Sequence, residues 1–410
     1  MTKTELKKYA ELLILHGVNL QKKQMLVISA PINANPLVVE LVKAAYKHGA
    51  SNVEVEWESA DVAKLGLKNK TLKELKNIPN WAIEQKKYFI ERRIAYIGII
   101  SDDPDIFKSL KAEKVAAARR ARSQAFDEYR SYMSSNKLRW CLAGYPEKSW
   151  AKKMFPDLKT NEAMKKQWEY IAKSVRLDSQ DPIEEWNKHQ QNLANRCKIL
   201  NESEIVSFHY KNSLGTNFTV GMPEGYIFCG GAEYGELDGV PFTANMPTEE
   251  VFSCPDRNSA NGRLVAAMPL SSNGKIIKDF YLDFKNGRIV DFGAKEGYDT
   301  LKSIIETDEG SHYLGEIALI GYNSPIRALN TLFYETLYDE NASCHFAIGD
   351  CYPTCLKGGA NMSEEELLSK GLNSSFEHVD FMVGTKDLSI TAKTKDGKEM
   401  KIFENGDWVI

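Results

Sequence analysis

The sequence predicts two domains of different architecture. Residues 1–200 are expected to form an α/β domain, in which helices cover a parallel sheet, and residues 201–410 an α+β, mainly antiparallel domain. Strand-like and helix-like patterns alternate along the first half, which is typical of parallel sheets. From about Ser203 the chain changes to short β-like runs separated by Gly, Asn and Asp. No linker or internal repeat marks the boundary, so its position near residue 200 rests on this change in composition.

The alternation in the first half can be followed element by element. The opening stretch MTKTELKKYAELLILHGVNL has apolar residues at helical spacing and predicts an amphipathic helix. Predicted strands occupy residues 25–31, 52–57, 95–100 and 138–142. Predicted helices occupy residues 36–48, 106–134 and 160–200. The predicted strands at 25–31, 95–100 and 138–142 are each followed by a predicted helix, which can return the chain for a parallel neighbour.

The second half reads as strands joined by turns. The runs IVSFHY, TNFTVG, KDFYLDF and GRIVDFG have the composition of short strands. Asp396-Gly397 lies between two alternating runs, which strongly indicates a β-hairpin. One helix is predicted to interrupt this region, from about Pro325 to Tyr338, because leucine and phenylalanine recur there on one helical face.

Charge and cysteine content exclude several classes of partner. Lys+Arg (53) and Asp+Glu (56) nearly cancel, so no basic field is available to bind nucleic acid or an anionic membrane. No apolar run reaches the length of a membrane span, and the amino terminus does not have the pattern of a secretory signal. The 7 cysteines are odd in number and scattered, as expected of reduced thiols. We therefore expect a cytoplasmic protein without nucleic-acid or membrane partners.

Signals for nucleophilic catalysis are weak. There is no G-x-S-x-G elbow and no phosphate-binding loop. Cys344-His345 has the residue types of a thiol–imidazole pair, but neighbouring side chains generally point apart. Cys351 and Cys355 suggest a thiolate metal site, yet a zinc centre of four cysteines would need partners at close spacing that the sequence lacks.

Metal chemistry is better supported, because imidazole and carboxylate groups occur in several segments of the second half. Glu249-Glu250 follows a rigid proline turn, Glu316 lies in an apolar strand-like run, and His345 lies among small apolar residues. Each has an ordinary alternative. The two glutamates could be a solvated acidic pair, Glu316 could be a carboxylate at a strand start, and His345 could be a hydrogen-bonded core histidine.

A fourth segment carries both residue types together. His378 and Asp380 are two residues apart in the predicted strand HVDFMVG, so both side chains project from the same face. Burying them there is costly unless something pairs them. A cation would compensate both, and a simple Asp–His hydrogen bond is the alternative. With Glu250, Glu316 and His345, the count of ligands suits two metals better than one.

At these segments the sequence resembles the thermophilic metalloprotease family of aminopeptidases, of the aminopeptidase T, AmpS and PepS type. The matching runs are NMPTEEVFSCPD, LGEIALI, NTLFYETLYDENASCHFAIGDCYP and HVDFMVG, and the amino-terminal stretch YAELLILHGVNLQKKQMLVISAP is also similar. They occur in the family's order, and the resemblance covers essentially the whole chain.

The resemblance implies an enzyme that hydrolyses N-terminal residues from short peptides with a water activated by two divalent metal ions. Zinc or cobalt is the expected metal, with manganese or magnesium as alternatives, and a homodimer is the expected assembly. The resemblance makes residues 201–410 a metal-binding catalytic domain. The metal ligands it implies are Glu250, Glu316, His345, His378 and Asp380. The catalytic residues it implies are Glu316 and Tyr352, the latter in the run Gly-Asp-Cys-Tyr-Pro.

Some points stay open at this level. The sequence does not determine which carboxylate bridges the metals or whether Glu316 is also the general base. A site of Glu, His and Asp could serve a phosphoesterase or an amidohydrolase, although those sites typically use more aspartates and histidines. A non-enzymatic metal- or peptide-binding protein, in which the ligands only stiffen the fold, is the other alternative.

Overall fold

Helices and strands alternate along the first half of the chain, as the sequence predicts. The computed structural model describes residues 1–272 and 274–410. The α-helices of the described residues are α1 (Lys3–Leu12), α2 (Asn35–Lys47), α3 (Ala60–Asn69), α4 (Leu72–Lys76), α5 (Asn80–Glu91), α6 (Ala112–Ala125), α7 (Asp127–Ser134), α8 (Lys148–Met154), α9 (Thr160–Ser174), α10 (Pro182–Glu202), α11 (Tyr298–Ile305), α12 (Pro325–Ala328), α13 (Thr336–Asp339) and α14 (Glu364–Ser369).

The strands differ in length, and the two longest, of 11 and 9 residues, lie in the second half of the chain. They are β1 (Met25–Pro31), β2 (Asn52–Glu58), β3 (Ala95–Ile100), β4 (Arg139–Gly144), β5 (Ile205–Lys211), β6 (Asn217–Gly221), β7 (Cys229–Gly230), β8 (Glu233–Tyr234), β9 (Pro241–Phe242), β10 (Asn245–Met246), β11 (Val251–Ser253), β12 (Asn261–Val265), β13 (Leu270–Ser272), β14 (Lys275–Lys285), β15 (Arg288–Glu296), β16 (Leu314–Leu319), β17 (His345–Gly349), β18 (His378–Met382), β19 (Ser389–Thr394), β20 (Glu399–Glu404) and β21 (Asp407–Trp408).

Contacts divide the described chain into two compact units. The first consists of Met1–Asn187 with Ala232–Pro247, and the second of Lys188–Gly231 with Thr248–Ile410. The sequence did not predict that residues 232–247 belong to the first unit. The predicted division into folding domains at 1–200 and 201–410 stays a prediction, because a division by contacts does not test independent folding.

The first unit contains a parallel sheet in the order β10-β4-β3-β1-β2. Strand β1 is buried along its whole length, which is typical of a parallel strand with both faces covered. The predicted strands at 25–31 and 95–100 have the bounds of β1 and β3. Strand β10 was not predicted, because two residues are too few to show a periodic pattern. The α/β prediction for the N-terminal part is confirmed.

The second unit contains two mainly antiparallel sheets, which confirms the α+β prediction for the C-terminal part. The larger sheet has the order β13-β14-β12-β6-β5-β19-β20-β21, with β15 beside β14. The smaller sheet has the order β18-β17-β16-β11-β7. Aromatic side chains of the two sheets pack together in one core. The distance between ring centroids is 5.3 Å for Phe218 and Phe346 and 5.8 Å for Phe280 and Phe381.

Two predictions for turns and helices in this unit had opposite outcomes. The Asp396-Gly397 hairpin is confirmed, because β19 and β20 pair and Gly397 has a φ of 83°. The predicted helix from Pro325 to Tyr338 is wrong: α12 and α13 are separate single turns. The carboxylate of Asp339 accepts hydrogen bonds from the backbone N–H groups of Phe333 (2.7 Å) and Glu335 (3.2 Å). Such side-chain bonds hold the backbone in a non-helical path despite the apolar spacing.

Candidate metal centre

The smaller sheet of the second unit has one apolar face and one polar face. Side chains alternate along a strand, so Phe346 and Ile348 of β17 project to one side and His345 and Ala347 to the other. Phe346 and Ile348 belong to the hydrophobic core. His345 is 1% exposed, although it lies on the opposite face. Both faces of β17 are therefore buried, and one of them carries an ionisable group.

The strand register brings further ionisable residues to the polar face. Ala347 pairs with Glu316 on β16 and with Asp380 on β18. The two carboxylate-bearing residues thus flank an alanine in one row across three strands. Because the alanine side chain is a single methyl group, it leaves space above the row for the longer carboxylates to converge. His345, two residues earlier on β17, projects from the same face.

Gly349 allows β18 to begin close to the end of β17. It has a φ of 105°, and a Cβ atom there would lie 2.1 Å from the carbonyl oxygen of Glu377. Only glycine adopts this conformation readily and permits this approach. The register then pairs Gly349 with His378, so the imidazole enters the polar face beside Asp380.

The side chains from these strands converge on one point. His345 Nε2 lies 3.5 Å from Glu250 Oε2 and 3.6 Å from Glu316 Oε1. His378 Nε2 lies 3.1 Å from Glu316 Oε2 and 3.3 Å from Asp380 Oδ1. Glu250 enters from the residue before β11, the neighbour of β16. All the metal ligands that the resemblance implies are therefore close together in the fold.

Backbone carbonyl groups orient both imidazole rings. His345 Nδ1 lies 3.3 Å from the carbonyl oxygen of Ser343, and His378 Nδ1 lies 2.8 Å from that of Asp350. A carbonyl can only accept a hydrogen bond, so in each ring Nδ1 carries the proton that is donated. The Nε2 atoms face the carboxylates. Metal-ligating histidines are commonly held in this way by the nitrogen that does not bind the metal.

The burial of these carboxylates argues against interpreting them as solvated surface charges. Glu316 is 4% exposed, Asp380 7% and Glu250 8%, so none of them is a solvated surface charge. Glu249 is also 8% exposed. Its carboxylate lies 3.6 Å from Nε2 of His189, and Glu249 belongs to neither of the candidate metal-binding groups. Several carboxylates buried together require compensating positive charge.

The pKa shifts show how the groups compensate one another without a cation. Burial opposes ionisation of Glu316, but hydrogen bonds from His345 and His378 outweigh it and lower the pKa of Glu316 to about 2. Burial likewise opposes protonation of His345, yet the bond to Glu316 and the charge of Asp380 raise the pKa of His345 to about 9. The pKa of His378 is raised well above its ordinary value despite burial, chiefly by Asp380. The positive charges of the protonated imidazoles thus balance the buried carboxylates, as a bound cation could do instead.

The donor set fits divalent cations. Among the described residues, two groups have ligand atoms that all lie within 4.8 Å of one another: Glu250, Glu316 and His345, and Glu316, His378 and Asp380. Both consist of carboxylate oxygen and imidazole nitrogen, which suit zinc, cobalt or manganese. Glu316 belongs to both groups. Its two oxygens face different histidines, Oε1 toward His345 and Oε2 toward His378.

Tyr352 lies beside the second group. Its ring packs edge-on against His378, with 5.2 Å between ring centroids, and against Phe252 at 5.9 Å. The His378 charge favours ionisation of the phenol, but burial and the charges of Glu316 and Asp380 outweigh it and raise the pKa of Tyr352. The tyrosine therefore keeps its proton at neutral pH and can donate a hydrogen bond.

Glu340 is a residue of this region that sequence reasoning missed. It begins the 3₁₀ turn Glu340–Ala342 and lines a small cavity together with Asp380 and Met382. Burial, followed by the charges of Asp380, Glu250 and Glu316, raises its pKa well above the ordinary value. The one sequence feature that could have indicated a role for Glu340 is its position five residues before His345 in the same run. The residues next to Glu340 do not distinguish it from a glutamate on the surface.

A buried set of carboxylates and histidines around a shared glutamate is typical of divalent-metal enzymes. The chain belongs to the thermophilic metalloprotease (M29) family, whose model matches residues 2–408. It is 42% identical to aminopeptidase AmpS of Bacillus subtilis (strain 168) and 40% identical to aminopeptidase 2 of Geobacillus stearothermophilus, each over 404 residues; the alignments cover 98% of this chain and 98% and 97% of the relatives. The solved structure of wild-type AmpT from Thermus thermophilus is similar over 100% of both chains, with a TM-score of 0.92 and 32% identity.

These comparisons confirm the predicted family, the fold class and the enzyme class, a metallo-aminopeptidase. The number and identity of the metals and the roles of single residues stay predictions. Within residues 1–272 and 274–410, no helix combines the length and the apolar character that a membrane crossing requires.

Proposed function

We propose that this protein removes N-terminal residues from short peptides at a two-metal site held by Glu250, Glu316, His345, His378 and Asp380. The observation that carries the proposal is the position of Glu316, whose two carboxylate oxygens face different histidines. Glu316 would therefore be able to help hold two cations. The names of the relatives, aminopeptidase AmpS and aminopeptidase 2, support the reaction class.

Charge balance supports two cations rather than one. Glu250, Glu316 and Asp380 supply three negative charges, and the nearby carboxylate of Glu340 supplies a fourth. With both histidines neutral, as metal ligands must be, these four charges equal those of two divalent cations. We therefore include Glu340 in the site as the carboxylate that completes neutralisation. Burial and the charges of the neighbouring carboxylates raise the pKa of Glu340, and a bound cation would oppose that shift.

The protein groups supply positioning and a hydrogen-bond donor. Two divalent cations held in such a site would act as Lewis acids and lower the pKa of water. As the carboxylate shared by both ligand groups, Glu316 would contribute to catalysis by holding the two cations in position. The protonated phenol of Tyr352 would donate a hydrogen bond to the oxygen on which negative charge develops. The carbonyl groups of Ser343 and Asp350 keep the imidazoles in the required tautomer.

The remaining features of the proposal rest on the family. Zinc or cobalt is the proposed metal, with manganese or magnesium as alternatives. The substrates are proposed to be short peptides, the assembly a homodimer, and the location cytoplasmic. Residues 201–410 are proposed as the catalytic domain.

The test is hydrolysis of aminoacyl-p-nitroanilides by chelator-treated protein, with Zn²⁺, Co²⁺ or Mn²⁺ added back. We expect cleavage of substrates with a free amino group, no cleavage of N-acetylated controls, and two metal ions bound per chain by elemental analysis. His345→Ala should abolish cleavage, whereas His209→Ala should not, because His209 is exposed and hydrogen-bonds to Thr219 on the larger sheet. Release of phosphate from p-nitrophenyl phosphate instead would favour a phosphoesterase.

Glu340 is tested by substitution with the uncharged isostere. Glu340→Gln should lower the number of metal ions retained per chain and with it the activity, because one of the compensating charges is lost. Glu365→Gln, at an exposed position of α14, serves as the control. Unchanged metal content in Glu340→Gln would contradict the assignment.

A further inference from the structure

Four cysteines that are distant in sequence meet in the second unit. The thiol of Cys254 is a near neighbour of those of Cys351 and Cys355, and the thiol of Cys355 is also a near neighbour of that of Cys229. Cys254, Cys351 and Cys355 are buried in one apolar cluster, against which Cys229 and Tyr352 pack. These partners of Cys351 and Cys355 are distant in sequence, so spacing along the chain did not indicate them. Pairing of β7 with β11 places Cys229 near Cys254, which follows β11 directly.

The cluster surrounds the backbone of Tyr352. Cys351 precedes the tyrosine and Cys355 follows it by three residues. The Cys254 sulfur lies 3.4 Å from the carbonyl oxygen of Tyr352, and the same oxygen accepts a hydrogen bond from the Cys355 N–H at 3.0 Å. Any change in the bonding of Cys254 is thus transmitted directly to the peptide that positions the tyrosine.

The arrangement suits thiol oxidation better than metal binding. Within the described residues, the groups whose ligand atoms all lie within 4.8 Å of one another contain no cysteine, so the sulfurs are not gathered around one point. They instead form a chain of neighbouring contacts with Cys254 between Cys351 and Cys355. Burial raises the pKa of a thiol, but bonds from Cys351 and Cys355 outweigh it and lower the pKa of Cys254 to about 5. A thiolate in contact with a second thiol is the reactive unit from which disulfides form.

We propose that Cys254 and Cys351 are an oxidisable thiol pair that controls the position of Tyr352. Cys351 is chosen over Cys355 because it is 7% exposed, whereas Cys355 is fully buried. Hydrogen peroxide is the oxidant. One thiolate of the pair attacks the O–O bond, giving a sulfenic acid and hydroxide, which takes up a proton to leave as water. The second thiol then attacks the oxidised sulfur, forming the S–S bond and releasing a second water. The sulfurs together lose two electrons, and the peroxide is reduced.

Disulfide formation draws two neighbouring sulfurs to a bonding distance of about 2 Å. Because Cys351 is joined directly to Tyr352, the tyrosine must shift relative to His378. A displacement on the order of 1 Å can lower a rate by as much as about 100-fold. The loss of turnover rests on the role proposed for Tyr352, whereas formation of the disulfide does not.

The test treats the metal-loaded enzyme with a small excess of hydrogen peroxide and follows mass and activity in parallel. We expect intact mass to fall by two hydrogen atoms, a non-reduced peptide map to link Cys254 with Cys351, and kcat to fall by roughly 10- to 100-fold. A thiol reductant should restore both mass and activity. Because the peptide map does not depend on turnover, it remains decisive even if the protein has no aminopeptidase activity.

Variants separate this pair from general oxidation. Cys351→Ser should prevent both the mass change and the loss of activity. Cys141→Ser should behave as the unchanged protein, because Cys141 is buried in the first unit. Persistence of all thiols, or a disulfide that joins other cysteines, would overturn the proposal. So would a zinc or copper ion bound by the four cysteines, detected as metal that is retained in Glu316→Gln and lost in Cys254→Ser.

Discussion

Strand β1 of the first unit and strand β17 of the second are both buried along their whole length. β1 contributes only to packing, whereas β17 also carries a residue of the candidate metal centre. β1 carries apolar side chains such as Val27 and Ile28 on both faces. β17 carries the apolar Phe346 on one face and His345 on the other. The comparison shows that complete burial does not distinguish a structural strand from one that builds a site.

The difference lies in what covers each face. A parallel sheet needs apolar residues on both sides, because helices pack on both. In the smaller antiparallel sheet only one face contributes to the aromatic core. The other face holds carboxylates and imidazoles that neutralise one another. Ionisable residues are tolerated in this interior because they are paired, and a cation can replace the protons that pair them.

The largest effect is expected from Glu316→Gln on β16, the strand that pairs with β17 on its polar face. It removes a charge shared by both ligand groups without changing side-chain volume. Loss of a residue that only orients a ligand costs about 10–100-fold, and loss of the shared ligand should exceed that. Activity should fall by more than about 100-fold, with fewer than two metal ions bound per chain by elemental analysis. Retention of both metals would show that Glu316 is not a shared ligand.

Truncation of the two cores should lower stability by similar amounts but differ in its effect on metal. Ile28→Ala in β1 should cost about 2–5 kcal/mol and Phe346→Ala in β17 about 3–5 kcal/mol in the free energy of unfolding measured with urea. Only Phe346→Ala should also weaken metal binding, because Phe346 is the immediate neighbour of His345. Equal effects of both variants on metal affinity would break the comparison.

Tyr352→Phe tests the polar face without changing its charge. The phenylalanine ring can keep the packing against His378, but the hydroxyl donor is lost. Removal of one such donor typically lowers kcat by about 10²–10³-fold. Metal content and KM should change little, as measured by elemental analysis and steady-state kinetics. A matching loss of metal would assign Tyr352 a structural role instead.

The smallest expected effect is a pH dependence of the metal-free protein. The pKa of folded His345 is raised from 6.5 to about 9, so its protonation stabilises the fold fully below pH 6.5 and no longer does so above about pH 9. The lowered pKa of Glu316 acts in the other direction and is lost only as the pH falls from 4.5 towards about 2. Tm of the chelator-treated protein should therefore fall by several degrees between pH 6.5 and 9.

The metal-loaded enzyme provides the control for that measurement. Its ligating histidines must be neutral, so the same rise in pH should not lower its Tm through His345. Calorimetry in buffers of different ionisation enthalpy should show that metal binding releases protons. A flat Tm profile of the metal-free protein would contradict the proton-paired site.

The sequence by itself determined the residue types and the faces they occupy. The strands at 25–31 and 95–100 could be predicted because apolar residues run without interruption through them, and their bounds match β1 and β3. Alternation placed His378 and Asp380 on one face of a strand. The resemblance then selected the segments that the fold brings together, although no local pattern orders them in space.

The tertiary structure decided the register and the neighbours. Ala347 pairs with both Glu316 and Asp380, and only this register explains why a small side chain at position 347 leaves space for the two carboxylates. The position of Glu340 beside Asp380 and the meeting of Cys254 with Cys351 depend on segments that are far apart in the chain. The bonds from Asp339 that replace the predicted helix are local, but they compete with the apolar periodicity that predicted it. Periodicity reports which face of an element is buried, whereas contacts between elements are fixed by packing that sequence spacing does not encode.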